Sequence, residues 1–139
     1  MATRVRDLQI SDKLDREISQ ASAERATSWS ALATELLEEA LRMRHAPGVI
    51  FVDGPTGRRA ALAGTGLDIW EIVATWRACG EDFGQLRGSY DWLTEPQLRA
   101  ALAYYELYPT EVDARLEREA QWTPDRVARE LPFTRSRNG

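Results

Sequence analysis

The chain has 139 residues, 43% hydrophobic and 29% charged, with a formal net charge of −4. Such a length holds one ordinary domain or two very small ones, which excludes a large multidomain enzyme, and the composition is that of a folding chain. One cysteine, Cys79, and one histidine, His45, exclude an internal disulfide and a Cys/His metal cluster, and route any Ser-His or Cys-His catalysis through His45.

The first ten residues lack the apolar stretch of a signal peptide, and the run from Val49 to Val52 is far too short to span a bilayer, so a cytoplasmic protein without membrane contact is expected. Eighteen Lys+Arg face 22 Asp+Glu, a balance that argues against a broad polyanion-binding surface. Lys13 is the only lysine, and arginine is better suited than lysine to bidentate contact with carboxylate or phosphate.

Arg4 to Ile10 reads as a short strand, with Leu8 and Ile10 turned inward and Val5, Asp7 and Gln9 on the other face. Such a strand is too short to stand alone. Ser11 or Asp12 caps a predicted helix to about Arg25, whose stripe is Leu14, Ile18 and Ala21. A second helix runs from about Ser28 to Arg44, and Trp29, Leu32, Leu36, Leu37, Leu41 and Met43 give it more apolar surface than one face can hold. A surplus of that kind requires a partner. The helical period stops at Ala46, Pro47 and Gly48, which divides the chain into residues 1–46, 47–121 and 122–139.

Ile10 to Leu14 followed by Ser28 to Ala31, in the order strand, helix, helix, resembles the ribbon-helix-helix family of bacterial DNA-binding proteins over the first third of the chain. The resemblance implies a homodimer or higher oligomer in which two strands pair into a ribbon that enters the major groove of operator DNA. It points to Arg4, Arg6 and Gln9 as ribbon contacts, and to Ser28 and Ser30 as phosphate contacts at a helix N-terminus. Three departures stand out: Asp7 carries negative charge on the groove side, Arg6 falls on the core phase of the ribbon, and Ala26 occupies a position where the family often has glycine.

Val49 to Asp53 and Arg58 to Ala63, joined through Gly54, Pro55, Thr56 and Gly57, predict a β-hairpin. The turn is not a phosphate-binding loop, because it lacks the lysine and helix a P-loop needs. Ile69, Ile72, Val73 and Trp76 predict a buried helix from about Asp68 to Ala78 that stops at Gly80, and Phe83, Leu86 and Tyr90 a shorter one. Thr94 and Gln97 form a capping box for a third helix, with Leu98, Ala101, Leu102 and Tyr105 as its stripe. Pro109 opens a fourth through Val112 and Leu116, and Thr123 with Pro124 a last one. The expected fold is mainly helical with short strands: a ribbon-helix-helix unit, then a β-hairpin with a helix-turn-helix, then a helical tail.

Gly57 to Thr65, Ile69 to Ile72, Gly80, Tyr90 to Leu93 and Ala100 to Tyr105 resemble domain-of-unknown-function family 433 across roughly 70 residues. This resemblance implies an antitoxin related to the VapB type, with a PIN-like ribonuclease as its toxin and repression of its own operon as a second task. No catalytic residue follows from it, and no cofactor. On the predicted reading helix Glu95 to Tyr108, Arg99 stands alone against Glu95 and Glu106, too few donors for a groove.

In the tail, Trp122 and Phe133 alternate with Arg126, Arg129, Arg135 and Arg137, an amphipathic pattern suited to a partner's groove, where an arginine can pair with the metal-binding carboxylates of a nuclease. The tryptophans and Tyr104 with Tyr105 are expected mainly in the core, His45 as a cation at a helix end, and Cys79 as a buried thiol. The carboxylate pairs Glu38–Glu39 and Glu81–Asp82 read as solvated surface, so enzyme activity is not expected. Two other classes fit the same pattern: a stand-alone transcriptional regulator, and a dimeric scaffold that never touches DNA, which Asp7 and the acidic balance favour.

Overall fold

The computed structural model describes residues 2–55 and 57–121. In it the chain is mainly helical, with one antiparallel hairpin, and divides after Leu41 into two compact units.

In the first unit α1 spans Asp12–Glu24, and Ser11 caps it by accepting from the Leu14 N–H at 3.1 Å. The helix ends with Ala26 in the left-handed region at φ 53°. There the Thr27 N–H reaches the Ser22 carbonyl and the Ala26 N–H reaches that of Ala23, the paired bonds of a Schellman motif. An alanine at this position carries the steric penalty of its Cβ, about 1–2 kcal/mol. Ala26→Gly is therefore expected to raise stability by about 1 kcal/mol. A rise in the urea midpoint at constant m-value checks this, and an unchanged or lower midpoint refutes it.

Helix α2 spans Trp29–His45, and its last turn, Arg42 to His45, belongs to the second unit. Leu32 is buried, whereas Leu36, Leu37 and Leu41 remain exposed, as the surplus of apolar faces in the sequence anticipated. The strand expected at Arg4 to Ile10 is not present in the single chain: residues 2–11 form no regular element, and Val5 and Leu8 are 92% and 69% exposed. The reason is physical, since a strand is defined by ladder bonds and this segment has no second strand beside it.

The second unit begins its sheet with β1 (Val49–Gly54) and β2 (Gly57–Leu62), paired in register from Val49 with Leu62 to Gly54 with Gly57. Gly57 takes a φ of 119°, which only glycine adopts without strain, and so closes the tight turn. Four helices follow: α3 (Ile69–Ala78), α4 (Phe83–Ser89), α5 (Glu95–Leu107) and α6 (Pro109–Ala120). The predicted capping box opens α5: Gln97 accepts from the Thr94 N–H at 2.8 Å, while Thr94 accepts from that of Gln97 at 3.2 Å. Gly80 closes α3 through a second Schellman pair.

Val49 and Leu62 of the hairpin, Ile69, Ile72 and Val73 of α3, Leu86 of α4, and Leu98, Ala101 and Tyr104 of α5 form one core with Val112 of α6. At about 1.5–3 kcal/mol for each large apolar side chain buried, this core is the main stabilising term of the unit. Ala46, at the exit of α2, is part of it.

Candidate functional site

The first unit carries the residues expected to meet DNA. Arg4, Arg6 and Gln9 are all exposed, in the irregular segment before α1. Ser28 caps α2, its Oγ accepting from the Ala31 N–H at 3.0 Å, so the hydroxyl oxygen already has a backbone partner. Ser30 is exposed in the first turn, which holds no acidic residue. That turn presents amide N–H groups and the positive end of a helix dipole without a carboxylate to oppose an anion. The proposed tail contacts, Trp122, Arg126, Arg129, Phe133, Arg135 and Arg137, lie outside the described residues.

In the second unit the polar side chains gather into clusters of arginine, carboxylate and tyrosine. The innermost centres on Tyr104, which is fully buried yet donates its hydroxyl to Glu111 Oε2 at 2.8 Å. Arg42 pairs with the same oxygen at 2.5 Å and lies over the Tyr108 ring, 5.0 Å from its centroid. His45 Nδ1 is 3.1 Å from the Tyr108 hydroxyl, so the last turn of α2 is tied to the α5–α6 junction by two side chains. This bond gives His45 a more definite place than the helix-end cation expected from sequence.

A second cluster joins three helices. Arg77 of α3 bonds to the Tyr105 hydroxyl of α5 and pairs with Asp113 of α6 at 2.8 Å, while Tyr105 donates to Asp113 at 2.7 Å. The Tyr105 ring meets Trp76 edge-on. A third cluster holds the hairpin to α3. The buried Asp68 carboxylate accepts from Trp70 Nε1 at 3.1 Å and lies 3.2 Å from Arg59 Nε.

The two tyrosines respond to pH in the same sense. Burial, then hydrogen bonding to Glu111, raises the Tyr104 hydroxyl above its ordinary range, and the bond to Asp113 raises that of Tyr105. Deprotonation is thus easier in the unfolded chain than in the folded one. The stability this supplies is complete below the unfolded-state value near pH ~10 and is lost as pH rises from there through the folded-state value. Denaturant midpoints are expected to fall above that pH, with a shallower decline in Tyr104→Phe; an identical decline in the variant would assign the effect elsewhere.

Three expectations are corrected here. Glu39, expected on solvated surface with Glu38, is buried on α2, on the same side of the helix as the buried Leu32 seven residues earlier. Trp92, placed in the core from its sequence phase, is 60% exposed, because its neighbour Leu93 takes the inward position as the chain turns from α4 into α5. Cys79 is half-buried rather than buried, at the C-cap of α3, with Ser89 Oγ at 3.8 Å from its sulfur. Sequence reasoning missed a groove between β2 and α6. Its lining includes Arg58, Arg59, Trp70, Glu111, Arg115 and Arg118. The i, i+3 spacing of Arg115 and Arg118 was the only local signal, since a helix alone does not reveal which strand it faces.

Among the described residues no group of three or more His, Cys, Asp and Glu side chains is placed to hold a metal ion, and no helix is long and apolar enough to cross a membrane. The second unit is thus a small helical domain on a two-stranded hairpin, with arginine–carboxylate–tyrosine clusters as its polar features. Residues 55–105, from the hairpin turn into α5, match the family described as protein of unknown function (DUF433), which supports a DUF433 domain in this part of the chain. No curated protein and no solved structure matches the chain.

Proposed function

We propose that the protein is the antitoxin of a type II toxin–antitoxin pair, a cytoplasmic, stoichiometric binding protein rather than an enzyme. On this reading the first unit is a ribbon-helix-helix module. Two copies pair through residues 4–10 and the apolar face of α2, and the ribbon contacts operator DNA through Arg4, Arg6 and Gln9, with Ser28 and Ser30 on the phosphates. The helices after the hairpin are a helix-turn-helix domain of the DUF433 type, and residues 122–139 engage a PIN-like ribonuclease.

The observation that carries the reading is the exposure of Val5, Leu8, Leu36, Leu37 and Leu41 within one small unit. A monomer gains nothing from that surface, whereas a second copy would bury it and supply the missing ladder partner. The acid-free first turn of α2 is the matching feature for phosphate.

A pull-down of the tagged protein from its native cells at about 0.15 M salt, where surface electrostatics are partly screened, tests the reading directly. A carboxylate-rich ribonuclease in near-stoichiometric amount is the expected co-eluate, and removal of residues 122–139 is expected to release its activity. Recovery of DNA and the protein itself alone would replace the antitoxin with a stand-alone regulator, and recovery of neither partner with a dimeric scaffold.

A further inference from the structure

The groove between β2 and α6 has no role in the reading above, which puts the toxin contact on residues 122–139. Its apolar lining comes from Ala60, Ile69, Val112 and Trp70. Arg59 approaches from the strand, and Arg115 and Arg118 from α6. The Arg115 guanidinium lies over the Trp70 ring at 5.2 Å from its centroid, which fixes one flat face of the groove.

The charge of this groove is not cancelled from within. Glu111, its one acidic lining residue, is committed to Arg42 at 2.5 Å and to the Tyr104 hydroxyl at 2.8 Å. Arg59 Nε lies 3.2 Å from Asp68 and Arg115 Nε 2.9 Å from Glu119, so each of these two charges has one carboxylate beside it. Arg118 makes no ion pair among the described residues. Arg59, Arg115 and Arg118 thus line one cavity with Trp70 and leave one net positive charge unanswered, and a guanidinium is the donor that a planar carboxylate fits bidentately.

The size of the cavity selects the ligand. The cavity is about 100 Å³, room for one side-chain head group and not for a nucleotide. We propose that the β2–α6 groove binds an acidic peptide segment of a partner protein, seating one Asp or Glu carboxylate between Arg59, Arg115 and Arg118 with an apolar neighbour against Trp70.

Isothermal titration calorimetry of the full chain tests this with three probes at low salt: a blocked Asp-Glu-Leu-Glu-Asp peptide, its Asn/Gln counterpart, and a short single-stranded RNA. The acidic peptide is expected to bind, the neutral one not, and Arg59→Ala with Arg118→Ala is expected to weaken binding at least about tenfold, by loss of two charge-assisted contacts. Both side chains are partly or fully exposed, so the variant should keep its far-ultraviolet circular dichroism spectrum; Arg118→Ala alone, at an exposed helix position, provides the same comparison should the double variant unfold. Equal binding of acidic and neutral peptides, wild-type affinity in the variants, or no peptide binding would overturn the proposal. Binding of RNA in place of the peptide would overturn it too, in favour of a phosphate site. Peptide held by the arginines of residues 122–139 would keep its wild-type affinity in the Arg59 and Arg118 variants, so that outcome separates failure of this site from the ribonuclease contact.

Discussion

Replacing Tyr104 with alanine is expected to lower folding stability by about 3–5 kcal/mol, the cost of deleting a large aromatic side chain from a packed core. Tyr104 is fully buried, meets Phe51 of β1 edge-on with ring centroids 6.3 Å apart, and stacks obliquely on Tyr108 at 5.0 Å. Its removal leaves a void against the hairpin and strips Glu111 of a hydrogen-bond donor at the same time. Tyr104→Phe separates the two effects. It keeps the ring and the packing and loses only the hydroxyl, so its expected cost is about 1 kcal/mol, moderated because Arg42 still pairs with Glu111. Urea denaturation followed by circular dichroism gives both values. Equal losses in the two variants would mean that the hydroxyl bond, not the packed ring, is what holds this part of the unit.

The second large effect belongs to the proposed DNA contact. With Arg4 and Arg6 both changed to alanine, affinity for the upstream promoter is expected to fall at least roughly hundredfold, since charged hydrogen bonds are worth about 1.5–3 kcal/mol each and each 1.4 kcal/mol is tenfold. Each lost phosphate contact also removes about 0.9 from the slope of log affinity against log salt. Two lost contacts flatten it by about 1.8. Both side chains are exposed in a segment without regular structure, so the variant should fold as the parent does. Gel-shift titrations at several salt concentrations measure affinity and slope together. A parental affinity with a parental slope would remove residues 4 and 6 from the interface, and a uniform affinity loss with an unchanged slope would point to base-edge contact instead of phosphate.

Local signals in the sequence located most of the second unit. The Thr94–Gln97 box, the Gly80 stop, the Pro109 start and the tight hairpin turn each depend on a few adjacent residues, and each stands where its chemistry requires. What depends on distant residues was not legible. That Tyr104 is the fully buried member of the Tyr104–Tyr105 pair follows from Glu111 and Arg42 meeting it from two other helices, and nothing in the local pattern marks that. The groove was missed for the same reason, since Arg59 and Arg118 are far apart in sequence and meet only when α6 folds back beside β2. The segment from Arg4 to Ile10 differs: its alternation supplies only the side-chain pattern of a strand, and the hydrogen bonds must come from another chain segment.

The arginine clusters of the second unit have a practical corollary for chemical labelling. Arg42, Arg77, Arg99 and Arg115 each lie over an aromatic ring, and no lysine takes part in any of these contacts. Lys13, the only lysine of the chain, is exposed on α1 in the first unit, while Cys79, the only cysteine, sits half-buried at the end of α3 in the second. Amine-directed reagents therefore address one side chain, in the first unit, and thiol-directed reagents one side chain in the second. One side chain in each unit can thus carry a label without an engineered substitution.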